Sequence, residues 1–319
     1  MSIGKEEVTV MTKSRKKANK KKRIRDDAQL LTLSAPAIIL LLIFCYVPMF
    51  GIVIAFKDFK PILGFWDSQW VGFKNFEFLF MSQDFSRLVT NTVGYALIFI
   101  ALKIVLGVVV ALLLYEIVNR KALKFYQTSM IMPNFLSWVV VGYISYILLN
   151  PSSGMFNQII RAFGGEGVSW YSEAKVWPFI LPVVNSWKSI GMDSIMFYAA
   201  LMGLDSELFE AATIDGATKW QQVRKISVPL LAPIVCIIGI LAMGNVFRGD
   251  FGLFYQIPRN VGALYPTTDV IDTYVMRGVM QGNIGTTASV GLVQSVVGLI
   301  MVVGTNLIVK KLDPENSLF

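Results

Sequence analysis

Ser172 and Lys175 stand three residues apart, the spacing of a serine nucleophile and its lysine base, but without the companion motifs that such chemistry requires. The pair is read as a coincidence of spacing. Histidine is absent, and the two cysteines, Cys45 and Cys236, lie inside apolar runs. Histidine-based triads, zinc sites and disulfide frameworks are set aside on that ground. No G-x-x-x-x-G-K-[ST] segment is present to cradle nucleotide phosphates, so energy from ATP has to come from elsewhere. The polar residues that remain suit binding and docking. They are Lys103, Lys188 and Asp193 within apolar runs, Arg248 and Asp250 just beyond one, and the charged stretch ELFEAATIDGATKWQQVRKISVP at 207–229.

The elements that must position these groups are membrane helices. The 319-residue chain is 55% hydrophobic and 16% charged, with a mean hydropathy of +0.59, which places it outside the soluble globular class. Runs near the ~20 residues needed to cross a bilayer fall at about 30–56, 89–115, 127–149, 176–202, 228–247 and 285–309. The fold class is therefore all-α integral membrane, with six core spans in a membrane domain over 30–312. Lys103 in the second run and Lys188 and Asp193 in the fourth make those two the least apolar.

Residues 1–29 form a basic tail containing KSRKKANKKKRIR, and 313–319 a short C-terminal tail. The apolar stretch after the basic tail is too long for a signal peptide and reads as a retained span. The tail lacks interleaved aromatics for stacking on bases, so contact with anionic lipid is preferred to nucleic-acid binding. With the N-terminus inside, 18 lysine and arginine residues fall on the inner side and nine on the outer, ten of the 18 being in the tail itself. Both termini are thus expected in the cytoplasm, together with 203–227.

Within the charged stretch, Asp205 and Ser206 are capping types, while Glu207 and Glu210 favour the first turns of a helix. Asp215-Gly216 should end that helix, because glycine enters the left-handed region readily. Thr218 and Gln221 have capping-box spacing for a second helix, with Trp220, Val223 and Ile226 recurring along one side, and Pro229 suits the start of the next span. The elbow over 205–227, with small Ala211 and Ala212, is shaped either to be docked by a partner or to rest among lipid headgroups.

For a polar ligand, Asn185, Lys188 and Met192 share one face of the fourth span with Trp187 close by, a combination of polar edge and flat aromatic that suits sugars or, equally, helix packing. Lys188 and Asp193, five residues apart, should need separate partners. Asn245, Arg248, Asp250 and Tyr255, at the end of the fifth span, form a second candidate path, the Arg248 and Asp250 charges being placed to pair. Lys103 is expected to pack or snorkel.

The order Glu210-Ala211-Ala212, three residues, Gly216, nine residues, Ile226, one residue, Val228-Pro229 resembles the EAA signature of permease subunits of type I binding-protein-dependent ABC importers, with valine at 228 where leucine is usual. WVGFKNFEFLF (70–80), followed by Asn91-Thr92, looks like the exterior segment of type I sugar permeases, while NSWKSIGMDSIMFYAALMGL (185–204), TTDVIDTYVMRG (267–278) and the ending of the chain look like the subfamily that carries oligosaccharides, including aldouronate and lipo-oligosaccharide systems. The resemblance implies a non-catalytic multi-pass subunit in the bacterial plasma membrane. Its elbow would be a coupling helix, with Glu210, Ala211, Ala212, Asp215, Gly216 and Trp220 facing an ATPase. Implied partners are a second permease, two ATPase subunits that hold ATP and Mg, and an extracellular lipoprotein or periplasmic sugar-binding protein that delivers an oligosaccharide. An ion-coupled secondary transporter is disfavoured because Asp193 is the only carboxylate in a span. A non-transporting scaffold is disfavoured by the charges at mid-span.

Overall fold

Apolar stretches without charge have no stable state in water, and their backbone groups are satisfied within the segment as helix. The computed structural model describes residues 29–312, so the two tails and the sidedness of their termini lie outside the described residues. The chain divides into two units, Met1–Ile54 and Ala55–Phe319. The first contains most of α1 (Gln29–Phe56), which passes through a π turn at Leu42–Tyr46 and then a 3-10 stretch.

In the second unit, β1 (Lys57–Asp58) and β2 (Gln69–Trp70) pair antiparallel, with Lys57 opposite Trp70, around the short α2 (Gly64–Asp67). Lys57 Nζ donates to the Phe65 carbonyl at 2.8 Å and closes this loop. Asn75, on α3 (Lys74–Met81), ties it to the rest by donating to the carbonyls of Ala55 and Lys57, each at 2.9 Å.

The centre is a pair of long helices. Ser82 caps α4 (Gln83–Tyr115) by accepting from Phe85 N, and the 33 residues reach about 50 Å. It packs along α8 (Trp177–Met202). The packing is close because Gly107 leaves room for the Phe197 ring: a Cβ at 107 would come within 2.9 Å of it. Midway, Lys103 Nζ and Asp193 Oδ1 lie 3.3 Å apart, which gives Asp193 a partner on another helix, as the five-residue spacing required.

The expected third span is corrected by the structure. Instead of one helix over 127–149 there are α5 (Arg120–Ile131) and α6 (Trp138–Leu149), whose axes turn by 97° at the break. Pro133 interrupts the hydrogen-bond ladder within a 3-10 turn, Leu136 is extended, and Ser137 caps α6 by accepting from Val140 N. At 12 residues, α6 extends about 18 Å, too short to span alone. After α7 (Met155–Ala162) the chain enters α8.

The fifth span is also shifted. Past α9 (Ser206–Ile214) and α10 (Lys219–Gln222), a π turn at Val223–Ser227 leads straight into α11 (Val228–Met243). One helix thus runs Lys219–Met243, and Pro229 lies inside it rather than at its start. Beyond it, α12 (Phe251–Gln256), α13 (Tyr265–Thr268) and α14 (Ile271–Met280) fold back before α15 (Ile284–Leu312). Among the described residues, four helices are long and apolar enough to cross a membrane, or five if the bent pair counts as one span. The 26-residue α8 is not among them, its polar middle lowering its hydropathy.

Candidate functional site

The elbow begins where Asp205 Oδ1 accepts from Glu207 N at 3.0 Å. It turns at Gly216, whose φ of +77° lets Ala217 N reach back to the Ala212 carbonyl at 2.9 Å. A side chain with a Cβ would be strained there. Thr218 then forms the full capping box: Gln221 N donates to Thr218 Oγ1, and Thr218 N donates to Gln221 Oε1 at 2.7 Å. Buried Gln222 donates to Thr213 Oγ1 at 2.9 Å, which locks the second helix against the first. Lys219 pairs with Glu116 at 3.2 Å and Phe209 packs on Tyr115, fixing the elbow to the end of α4.

What this rigid turn presents is unusual for a polar surface. Ile214 is 87% exposed and Trp220 71% exposed, beside exposed Glu210, Ala211 and Asp215. Trp220 therefore does not share the half-buried side of Val223 and Ile226, since residues recurring every three positions drift by about 60° per step around a helix of 3.6 residues per turn. A hollow of about 350 Å³ lies at the bend, lined by Ala212, Asp215, Gly216, Gln221, Gln222 and Lys225 among others.

The residues singled out for a ligand path do not converge. Asn185 faces α4 near Lys103 and Asp193 around a space of about 10 Å³, room for at most one water. Lys188 turns to the break in the third span, donating to the Asn134 carbonyl at 2.8 Å and lying 5.1 Å from the centre of the Trp138 ring. Its charge thus satisfies a carbonyl left open where the helix breaks before α6. Trp187 borders an apolar groove of about 400 Å³ with Val141, Ile144 and Phe179. Asn245 donates to its own helix at Leu241.

The expected Arg248–Asp250 pairing is not formed. Asp250 accepts from Trp138 Nε1 at 2.8 Å and caps α12 through Leu253 N, while the charge of Arg248 acts on Asp272. Only Tyr255, stacked on Phe251, borders an open polar cavity. That cavity, about 230 Å³, also involves Tyr143, Gln256, Arg259 and Asn260.

Sequence reasoning missed a second polar centre in the return at 248–283. The fully buried Asp269 carboxylate takes both guanidinium nitrogens of Arg277, at 2.8 and 2.6 Å, and the Thr273 hydroxyl at 2.7 Å. Arg87 approaches it to 3.7 Å and pairs with Asp84 at 2.8 Å. Asp269 and Arg277 are eight residues apart, outside helical pairing distances, so nothing local signalled them. Nearby, burial pushes the Asp272 carboxyl above the usual carboxylate range, opposed by hydrogen bonds from Gly249 N and Gln294.

A family model described as binding-protein-dependent transport system inner membrane component matches residues 103–314. Protein LplB of Bacillus subtilis (strain 168) is 36% identical over 293 residues, 92% of each chain. The polygalacturonan/rhamnogalacturonan transport system permease protein YteP of the same organism is 35% identical, covering 88% of this chain and 87% of that one. Among solved structures, a bacterial ABC transporter involved in import of the acidic polysaccharide alginate superposes with a TM-score of 0.83 at 30% identity, over 92% of this chain and 98% of that chain. A structure of bacterial alginate ABC transporter with an alginate pentasaccharide-bound periplasmic protein gives 0.82 at 29% identity, over 91% and 97%. Extending over most of both chains, these likenesses establish that the chain belongs to the family of inner membrane components of binding-protein-dependent ABC transport systems.

Proposed function

We propose that this chain forms, with a second related permease, the membrane pathway for an oligosaccharide handed over by an external sugar-binding protein, and that two ATPase subunits holding ATP and Mg drive it through the elbow at 205–227. In this reading six segments cross the bilayer, the bent α5–α6 pair and α8 included, and both termini are cytoplasmic. The sugar class follows the substrates of YteP and the alginate importer, which resemble the chain over most of its length. Residues 1–29 form an inner basic anchor, 30–312 the permease domain and 313–319 a cytoplasmic end.

The observation that carries the coupling role is the elbow's surface. Ile214 and Trp220 stand out from a turn held rigid by the capping box and the Gln222–Thr213 hydrogen bond. Exposed apolar side chains on a fixed frame suit a partner that covers them. Glu210, Ala211, Ala212, Asp215, Gly216 and Trp220 are its contact residues. An ion-coupled carrier is disfavoured by the Lys103 partner of Asp193, which leaves no free carboxylate within the long apolar helices, among the described residues, to take up a cation.

The test is ATP hydrolysis by the purified complex with and without its sugar-loaded binding protein. Gly216→Val and Glu210→Lys should abolish stimulation while leaving membrane insertion intact. Full stimulation in both variants would reduce the elbow to an interfacial helix. Cysteine labelling in intact cells checks the topology: position 218 should be shielded from outside reagents and position 160 reachable by them.

A further inference from the structure

The cavity between α6 and the turn after α12 has features that packing alone does not require. Its floor is set by Gly142, where a Cβ would come within 2.9 Å of the Gln256 carbonyl. Its rim is Arg259-Asn260, with φ of 57° and 51°, the two non-glycine residues in the left-handed region among the described residues. Consecutive residues in that conformation persist only when surrounding structure enforces them, and such strain collects at ligand sites. Here Tyr265 donates its hydroxyl to Asn260 Oδ1 at 3.0 Å, which leaves the Asn260 amide N–H groups directed elsewhere.

The bend delivers Arg259 onto the Tyr146 ring, 4.1 Å from its centre. Stacking uses the face of a guanidinium, whereas its five N–H donors lie in the plane. The donating edge stays open, and among the described residues Arg259 forms no ion pair. No carboxylate lines the cavity, whose other walls include the aromatic side chains of Tyr143 and Tyr255. A cation fixed edge-outward beside flat rings is matched by a planar anion on a ring: a carboxylate taken in bidentate fashion, with the ring itself against tyrosine.

We propose that this cavity is a subsite for one uronate ring of an acidic oligosaccharide, with Arg259 gripping its carboxylate and Asn260 and Gln256 bonding its hydroxyls. The proposal rests on the oligosaccharide-import reading and sharpens its substrate class. At about 230 Å³ the site suits a single ring of a longer chain.

The test uses the assembled transporter, purified through a tag on this chain and held in lipid nanodiscs, with binding followed by microscale thermophoresis. The probes are an oligogalacturonate digest, an alginate digest, each digest after methyl esterification, and neutral galacto-oligosaccharides. At least one uronate digest should bind, and Arg259→Gln should weaken it by about tenfold or more, the loss expected when a charge-assisted hydrogen-bond pair goes. Arg259→Lys should weaken it less, and Asn260→Asp, which tolerates the left-handed backbone but adds a repelling charge, should weaken it too. The esterified digests should not distinguish wild type from Arg259→Gln.

Uronate binding unchanged in both Arg259→Gln and Asn260→Asp would overturn the subsite, as would an equal loss for the esterified digest. Tight binding of neutral sugars with none of uronates would overturn it while leaving oligosaccharide import standing. No sugar bound at all would overturn it, and if the binding protein also failed to stimulate ATP hydrolysis with any sugar, the import reading would fall separately.

Discussion

The elbow at 205–227 and the return at 248–283 are both polar interruptions between long helices, yet they are held mainly by different means. Side-chain hydrogen bonds within the elbow close over at most nine residues, from Asp205 to Glu207, Thr218 to Gln221 and Gln222 to Thr213. The return is bonded to distant chain: Tyr95 OH donates to the Thr267 carbonyl, Asn91 to that of Asp269, and Ile271 N to Thr92 Oγ1. Thr267 in turn reaches Ala174, and Tyr171 reaches the Ile257 carbonyl. Leu253, Ile257, Leu264 and Val270 are buried in the return, whereas the elbow exposes Ile214 and Trp220. The lesson is physical: one segment is a preformed surface with little core of its own, and the other is a fastened part of the fold. Changes in the first should be read in coupling, and changes in the second in stability.

The largest expected effect tests the fastening. Asp269→Ala removes a fully buried carboxylate and strips the partly buried Arg277 of its partner. Breaking one side of such a pair costs about 3–5 kcal/mol. Thermal unfolding of the purified protein in detergent should show a large drop in midpoint, while Glu210→Lys on the elbow should move it little, within about 0.5 kcal/mol as for most surface changes. Equal midpoints in these two variants would break the comparison.

Gly216→Val comes next, because its backbone at φ +77° strains a β-branched residue by about 1–2 kcal/mol. No neighbour crowds the position: nothing lies within 4 Å of the added Cβ. The damage should therefore remain local, with a modest midpoint shift but loss of stimulated ATP hydrolysis. A global loss of folded protein in this variant would mean that the elbow is as tightly fastened as the return at 248–283.

The same contrast explains what sequence alone made legible. Caps and the left-handed glycine of the elbow are decided by neighbours three or four positions away, so Asp205, Gly216 and Thr218 could be placed from their order. The long apolar helices were legible for a similar reason, since their burial in lipid needs only length. The break in the third span was not, because Pro133 in an apolar run is compatible with a continuous kinked helix until Lys188, 54 residues on, takes up the Asn134 carbonyl. Lys188 consequently read as a ligand group. Lys103 and Asp193, Asp250 and Trp138, and the Asp269–Arg277 centre are likewise non-local or outside helical spacing, and no periodicity reports them. Arg259 carried one usable signal, a cation after Pro258 in an outer segment with no acidic residue beside it, but its stacking on Tyr146 depends on the fold.

Thr218→Ala sharpens the comparison further. It removes the hydroxyl that accepts from Gln221 N in the capping box, and loss of such a cap costs about 1 kcal/mol. Hydrogen exchange should quicken for amides of 219–222 and leave the return at 248–283 unchanged. Protection lost equally in both segments would argue against their independence.

The smallest effect lies in the return at 248–283 and depends on pH. α14 carries Asp272, whose carboxyl burial raises above the usual value near 4 despite hydrogen bonds from Gly249 N and Gln294. A carboxyl with a higher pKa folded than unfolded binds more protons in the native state over the interval between the two values. Its contribution to stability is thus most favourable below the unfolded value and is progressively lost as pH rises through the folded one. Asp272→Asn keeps an oxygen to accept from Gly249 N and cannot ionise. The variant should therefore gain midpoint relative to wild type as pH is raised from about 4 towards 7, the difference between the two proteins cancelling every other titrating group. A difference that stays flat across this range, or shifts the other way, would show that Asp272 is as well solvated as a surface carboxylate and that this corner of the return is less enclosed than its hydrogen bonds suggest.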